Sequence, residues 1–137
     1  IGEGPEKNKL EKLSNDIGLE DNIKFINFLD NHDDVYSIMK SSKVFALPSS
    51  REGFGIVVVE SNACGLPVVT VDSKNNASPY LIENGVNGLV CSLSEDSLAN
   101  SIKDLLSNRK NPEDYVKYSQ KYNWPDVISK IETVYNL

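Results

Sequence analysis

A twenty-residue stretch, Pro48-Ser-Ser-Arg-Glu52-Gly-Phe-Gly-Ile-Val-Val-Val-Glu60-Ser-Asn-Ala-Cys-Gly65-Leu-Pro67, lies between two short apolar runs, Lys43 to Leu47 and Val68 to Val71. Inside it, the β-branched run Ile56 to Val59 reads as strand as readily as helix on periodicity alone. Its neighbours decide for helix. A strand-like run lies immediately before, and Gly65-Leu-Pro67 makes a helix stop followed at once by another strand. Strand, glycine-rich turn, helix, strand is a βαβ unit, and such a unit commits its chain to a parallel sheet with helices on the faces.

The remaining segments extend that alternation. Pro5 suits a first helical position, and Leu10, Leu13 and Ile17 recur at helical spacing until Gly18 ends the helix. Ile23 to Phe28 reads as a short strand. Asp33 or Asp34 suits the cap of a second helix carrying Val35, Ile38 and Met39. Downstream, Pro79 to Ile82 makes one helical turn, Gly88 to Val90 a last short strand, and Ser94 caps an amphipathic helix bearing Leu98, Ile102, Leu105 and Leu106. Helices over 112–122 and from Trp124 onward complete the chain. The fold class is α/β, a Rossmann-like parallel sheet with helices on both faces. Ligands of such sheets bind where the strands' C-terminal ends meet the loops, here Asn27 to Asp30, Pro48 to Gly55 and Asp72 to Pro79.

The chemistry of the central stretch follows from its residue types. Gly53 and Gly55 lack a Cβ, so a ligand can reach the backbone N–H groups around them. A helix starting near Gly55 has unpartnered N–H groups and a dipole that favours negative charge, which suits phosphate. Glu52 stands before that helix and Glu60 about two turns along it, two carboxylates able to accept hydrogen bonds from sugar hydroxyls. Their plain alternatives are a solvated loop carboxylate and a helix residue paired with a nearby base. The formal net charge of −6 disfavours nucleic acid or an anionic membrane as the main partner, since both are held by basic patches. Apolar content of 39% is ordinary for one globular domain over 1–137, and no run is long enough to span a membrane. Cys64 and Cys91 lack metal-binding spacing and read as inert thiols of a cytosolic domain.

The Glu52-x7-Glu60 spacing, the Glu-Gly-Phe-Gly core, Leu47-Pro48-Ser49 and Ala63-Cys64-Gly65-Leu66-Pro67-Val68-Val69 resemble the nucleotide-sugar-binding half of a retaining glycosyltransferase of the two-Rossmann-domain (GT-B) type, in the family that includes sucrose and glycogen synthases. Gly2-Glu-Gly-Pro5 and Asn84-Gly-Val-Asn-Gly-Leu89 extend the resemblance to about Leu106. It implies that Glu52 holds the catalytic place, bonding the donor hexose hydroxyls. Backbone N–H groups of Gly53, Phe54 and Gly55 approach the sugar, those of Ile56 and Val57 the diphosphate, and Glu60 holds the ribose. The base lies against Phe28, Leu29 and Ser49, beside Asn27, where family members usually carry Gly. No cofactor and no metal are implied. The donor is a nucleotide diphosphate sugar. The acceptor, whether a glycan, a lipid-linked sugar or a metabolite, binds an N-terminal domain expected upstream of Ile1, together with a basic pair that clamps the diphosphate. The location implied is cytoplasmic, including the cytoplasmic membrane face.

Beside Asn27, a second departure lies in the loop after Asp72. Where the family commonly has two glycines and a Pro-Glu pair, this chain has Asn75-Asn76 and Pro79-Tyr80, and Tyr80 reads as a packing residue. His32, beside Asp33 and Asp34, reads as a solvated helix start rather than a metal ligand. Rival readings are a nucleotide-sugar epimerase or phosphorylase of the same fold, a non-catalytic binding module, and a plain regulatory α/β domain, which leaves the Gly-Phe-Gly string unexplained.

Overall fold

Val68, Val69, Thr70 and Val71 are each almost completely buried, so this strand is covered on both sides. Successive side chains of a strand point to opposite faces. The contacts obey that period. Val69 and Val71 join Cys91 and Leu105 in one core cluster, with Leu98 and Ile102 packed against it. Val68 joins Val58 and Leu81 in another, backed by Phe45, Leu47 and Val59.

A computed structural model describes residues 1–135. Its elements run α1 (Lys7–Asp16), α2 (His32–Ser41), β1 (Phe45–Leu47), β2 (Arg51–Glu52), α3 (Ile56–Ala63), β3 (Val68–Asp72), β4 (Asn75–Asn76), a 3-10 turn at Ser78–Leu81, β5 (Gly88–Ser92), α4 (Glu95–Ser107), α5 (Pro112–Ser119), a 3-10 turn at Gln120–Tyr122, and α6 (Trp124–Tyr135). The chain divides into two compact units, Ile1–Ser37 and Ile38–Leu137.

In the second unit, β1, β3 and β5 form a parallel sheet in that order, with Phe45 opposite Val68 and Val68 opposite Gly88. Helix α3 covers the face of Val68 and α4 the face of Val69 and Val71. The fold is the α/β parallel sheet with helices on both faces read from the sequence. Helix α3 ends in a Schellman arrangement: Leu66 N–H bonds Ser61 O and Gly65 N–H bonds Asn62 O, both at 2.9 Å, with Gly65 at φ +80°. A Cβ at Gly65 would also stand 2.9 Å from Pro112 Cβ, so α5 is seated directly on this turn.

The polar side chains of this core are fully partnered. Asn62 donates to Leu66 O (2.9 Å) and Asn87 O (3.1 Å), while Asn87 donates to Asn62 Oδ1 (2.7 Å) and Leu81 O (2.9 Å). Asn87 Oδ1 accepts from Glu83 N–H at 2.7 Å. The pair ties the end of α3 to the approach into β5.

The first unit corrects three expectations. Helix α1 begins at Lys7, because the chain turns through Pro5 first, Lys7 N–H bonding Gly4 O at 3.2 Å. Residues 23–28 form no strand: Gly2 N–H donates to Ile26 O at 2.8 Å, and one bond is not a ladder. The α2 start is capped by Asn31, whose Oδ1 accepts from Asp33 N–H at 3.0 Å, while Asp33 and Asp34 lie in the first turn. Further along, Ser94 caps α4 as expected, accepting from Ser97 N–H at 3.2 Å.

Candidate functional site

Parallel pairing places Leu47, Asp72 and Ser92 at one edge of the sheet. The segments that leave β1 and β3 there are joined by a feature absent from the sequence reading, the parallel pair β2·β4, with Arg51 opposite Asn75 and Glu52 opposite Asn76. Ser73 Oγ donates to Ser50 O at 2.8 Å, and Ala77 N–H to Glu52 O at 2.9 Å. The stretch read as a polar loop is therefore a small sheet that holds Glu52 by its backbone.

Gly55 caps α3 in the left-handed conformation, φ 88°, ψ 44°, and no side chain caps the helix start. Val58 N–H bonds Gly55 O at 2.8 Å, which leaves the Ile56 and Val57 N–H groups ahead of it without an intrahelical partner. Ile56 and Phe54 are exposed there and Val57 is half-buried. A Cβ at Gly55 would fall 2.9 Å from Ser78 Cβ and 3.4 Å from Glu52 Cγ, so the turn after β4 is pressed against this glycine. Gly53 has open space around its missing side chain. Glu52 and Glu60 are both half-buried. Among the described residues the Glu52 carboxylate has no hydrogen-bonding or ionic partner. Glu60 is the fifth residue of α3, in its second turn rather than two turns along.

Ser49, Glu52 to Val57 and Glu60 thus lie along one stretch at the strand edge of the second unit. Asn27, Phe28 and Leu29 belong to the first unit. There Asn27 Oδ1 accepts from Lys7 Nζ, which also approaches Glu11 at 3.9 Å. Phe28 is exposed and Leu29 half-buried. A hollow of about 600 Å³ in this unit is lined by Ile1 to Lys7, Leu10 and Ile23 to Ile26, and not by the three residues assigned to the base.

Tyr80 is 89% exposed, so it is not the packing residue expected. In the 3-10 turn, Ser78 and Leu81 point inward and leave Tyr80 outward. Among the described residues no group of three His, Cys, Asp or Glu side chains is arranged to hold a metal.

Cys64, at the far end of α3, is a free thiol, as is Cys91. Burial pushes its pKa up; Lys40 pulls it back and Glu60 adds to the rise. A raised pKa means less thiolate at a given pH. Alkylation by iodoacetamide at pH 8 is expected to be slower than for an unhindered thiol and to accelerate with rising pH, and Lys40→Met is expected to slow it further.

A family model described as glycosyl transferases group 1 matches residues 1–122. The chain belongs to the group 1 glycosyl transferases. An uncharacterised glycosyltransferase of Haemophilus influenzae is 36% identical over 126 residues, covering 88% of this chain and 33% of its own length. Anabaena HepE, solved in complex with UDP-glucose, is 29% identical with a TM-score of 0.76, over 95% of this chain and 36% of its own. Sucrose-phosphate synthase from Thermosynechococcus elongatus, at 24% identity and a TM-score of 0.82, matches in fold over 97% of this chain and 34% of its own. The chain spans about a third of the length of these relatives and structural neighbours. No helix among the described residues is long and apolar enough to cross a membrane.

Proposed function

We propose that this chain is the donor-binding domain of a group 1 glycosyltransferase that moves a hexose from a nucleotide diphosphate sugar to an acceptor hydroxyl with retention at the anomeric carbon. The observation that carries the reading is the joint formed at the strand edge. Glu52 is held by the β2·β4 pair beside Gly55, whose left-handed backbone opens an uncapped helix carrying Glu60 in its second turn. A partnerless carboxylate next to unpartnered N–H groups fits a ligand with hydroxyls at one end and phosphate at the other.

In this reading Glu52 accepts hydrogen bonds from the hexose hydroxyls, with the Gly53, Phe54 and Gly55 backbone close by. The N–H groups of Ile56 and Val57 receive the diphosphate and stabilise the charge that grows on it as the glycosidic bond breaks. Glu60 binds the ribose hydroxyls. Ser49, on the same stretch of the second unit, is assigned to the base. We take 1–137 as one such domain, which a single family match over residues 1–122 supports. The acceptor and the basic clamp are assigned to the further two thirds of polypeptide that the relatives possess, so the isolated chain binds donor weakly and does not turn over. UDP-glucose in the Anabaena neighbour supports a nucleotide sugar as donor. The free thiols accord with a cytoplasmic location.

Ligand-observed NMR with UDP, GDP, ADP and their common hexose conjugates tests the site. One nucleotide family is expected to bind, and Glu60→Ala is expected to weaken nucleotide and nucleotide sugar alike by about tenfold, the scale of one or two hydrogen bonds to a carboxylate. Unchanged binding in the variant would remove Glu60 from the site.

A further inference from the structure

We propose that Asn76 is a positioning residue for the donor hexose, acting through Glu52; the inference rests on the donor-site reading above. Asn76 is 5% exposed, yet it carries a primary amide, and every polar atom of that amide is used. Its Nδ2 donates to Val71 O at 2.7 Å and to Thr70 Oγ1 at 3.3 Å. Its Oδ1 accepts from Ser78 N–H at 3.0 Å and from Ser78 Oγ at 2.7 Å. Thr70 Oγ1 and Ser78 Oγ lie 2.5 Å apart.

Each hydroxyl has one proton to give. If Ser78 gives its proton to Asn76 Oδ1, the Thr70 hydroxyl donates to Ser78 Oγ; if Thr70 donates to Leu47 O, 3.2 Å away, Ser78 donates to Thr70 Oγ1. In both patterns Asn76 Nδ2 donates to Val71 O and Thr70 Oγ1, and Asn76 Oδ1 accepts from Ser78 N–H. A buried network satisfied in this way holds its side chains in one arrangement.

What it specifies is the position of Glu52. Asn76 lies opposite Glu52 in the β2·β4 pair, and the next residue, Ala77, donates its N–H to Glu52 O. Ser78, the other end of the network, presses its Cβ against the space beside Gly55. Asn76 therefore ties the central strand β3 to the backbone of Glu52 through pairing and a hydrogen bond, whereas the start of α3 meets this network only as van der Waals contact between Ser78 and Gly55. The neighbouring Asn75 is exposed and makes no such bonds. Glu52 is the group assigned to the hexose, whereas the nucleotide is assigned to other residues. Disturbing Asn76 should thus affect the sugar end of the donor before the nucleotide end.

The test uses the full-length chain and compares Asn76→Asp with the wild type at pH 8 and pH 5.5. At pH 8 the introduced carboxylate has no hydrogen to give Val71 O or Thr70 Oγ1 and meets Val71 O as a repelling neighbour. Burial raises its pKa, so falling pH restores a proton and with it one donor. Calorimetric titration with the nucleotide that the wild type binds, and with its hexose conjugate, gives the affinity ratio. The expected result at pH 8 is a loss of about tenfold or more in affinity for the conjugate with nucleotide affinity unchanged, recovering at pH 5.5, since each unmet buried donor or acceptor is of that scale. The wild type, measured at both pH values, and Asn75→Ala are expected to keep their ratio.

Equal losses for both ligands, or no loss, would overturn the inference and leave the donor site standing. Failure of the wild type to bind any nucleotide or conjugate would overturn both. Should Asn76→Asp not fold, Ser78→Ala carries the same comparison. It removes one bond to Asn76 Oδ1 while keeping the Cβ that faces Gly55, and it is expected to lower the ratio in the same direction; an unchanged ratio there overturns the inference.

Discussion

Gly88→Ala is expected to cost this chain on the order of 3 kcal/mol of stability, the upper range for an overpacked core site. A Cβ at Gly88 would lie 2.1 Å from Val68 O, 3.1 Å from Val68 C and 3.0 Å from Ile82 Cδ1. Two of those three atoms are backbone of β3, the middle strand, so no rotamer change relieves the clash. The only escape is to part the start of β5 from β3, where Val68 and Gly88 are paired. That movement also pulls on Asn87, whose carbonyl accepts from Val68 N–H (3.2 Å) and from Asn62 Nδ2 (3.1 Å). Urea unfolding followed by circular dichroism checks the value. Gly85→Ala separates crowding from backbone preference: Gly85 has φ +75° but nothing within 4 Å of a built Cβ. It is expected to lose about 1 kcal/mol, the cost of a left-handed alanine. If the two variants were equally stable, the steric account of Gly88 would be wrong.

The same residues show what a sequence can and cannot reveal. Strand β3 was legible because burial on both faces favours a β-branched, largely apolar run, and Val68-Val69-Thr70-Val71 supplies one. Helix α3 was legible only through its surroundings, since Ile56 to Val59 favours strand by propensity. The chain resolves that conflict in tertiary terms: Val58 is fully buried against Val68 and Leu81, and Gly65 ends the helix in a turn no β-branched residue would accept. The helix start at Gly55, with Glu52 before it and Glu60 on it, was legible because a glycine pair ahead of an apolar run and a Gly-Leu-Pro stop after it frame a helix.

Hidden from the sequence were the polar residues that work inside the core. Asn62, Asn76, Ser78 and Asn87 have the composition of turns and surface, and nothing in periodicity says that their amides and hydroxyls will satisfy one another out of water. The β2·β4 pair was hidden for a related reason. Two residues of strand are too few for any alternating pattern, and Asn75-Asn76 has poor strand propensity. The strand expected over 23–28 failed in the opposite way: a strand exists only with a partner, and here, apart from the turn bond of Ile23 N–H to Leu19 O, the backbone meets only Gly2 N–H at Ile26 O. Tyr80 was misjudged because an aromatic after proline usually packs, whereas the 3-10 turn gives its inward places to Ser78 and Leu81.

Glu52→Ala in the full-length enzyme is expected to lower kcat/KM by about a hundredfold or more while leaving stability within about 0.5 kcal/mol of wild type. The two halves of that expectation come from one fact. The carboxylate has no partner among the described residues, so the fold gains nothing from it and loses nothing with it. Its backbone does the structural work instead, through the pairing with Asn76 and the bond from Ala77 N–H, and alanine keeps both. In the proposed donor site this half-buried carboxylate beside the helix start is free to take the sugar hydroxyls. Two hydrogen bonds from sugar hydroxyls to a charged acceptor, each contributing roughly 1.5 to 3 kcal/mol when water is excluded, account for the hundredfold figure. Glu52→Gln keeps the shape and one acceptor while removing the charge, and it is expected to fall between wild type and alanine. Steady-state rates with the nucleotide sugar identified by NMR, set beside thermal melting of the same samples, check both halves. Normal turnover in Glu52→Ala would remove Glu52 from the hexose. A large fall in melting temperature together with lost turnover would recast it as a residue of the fold.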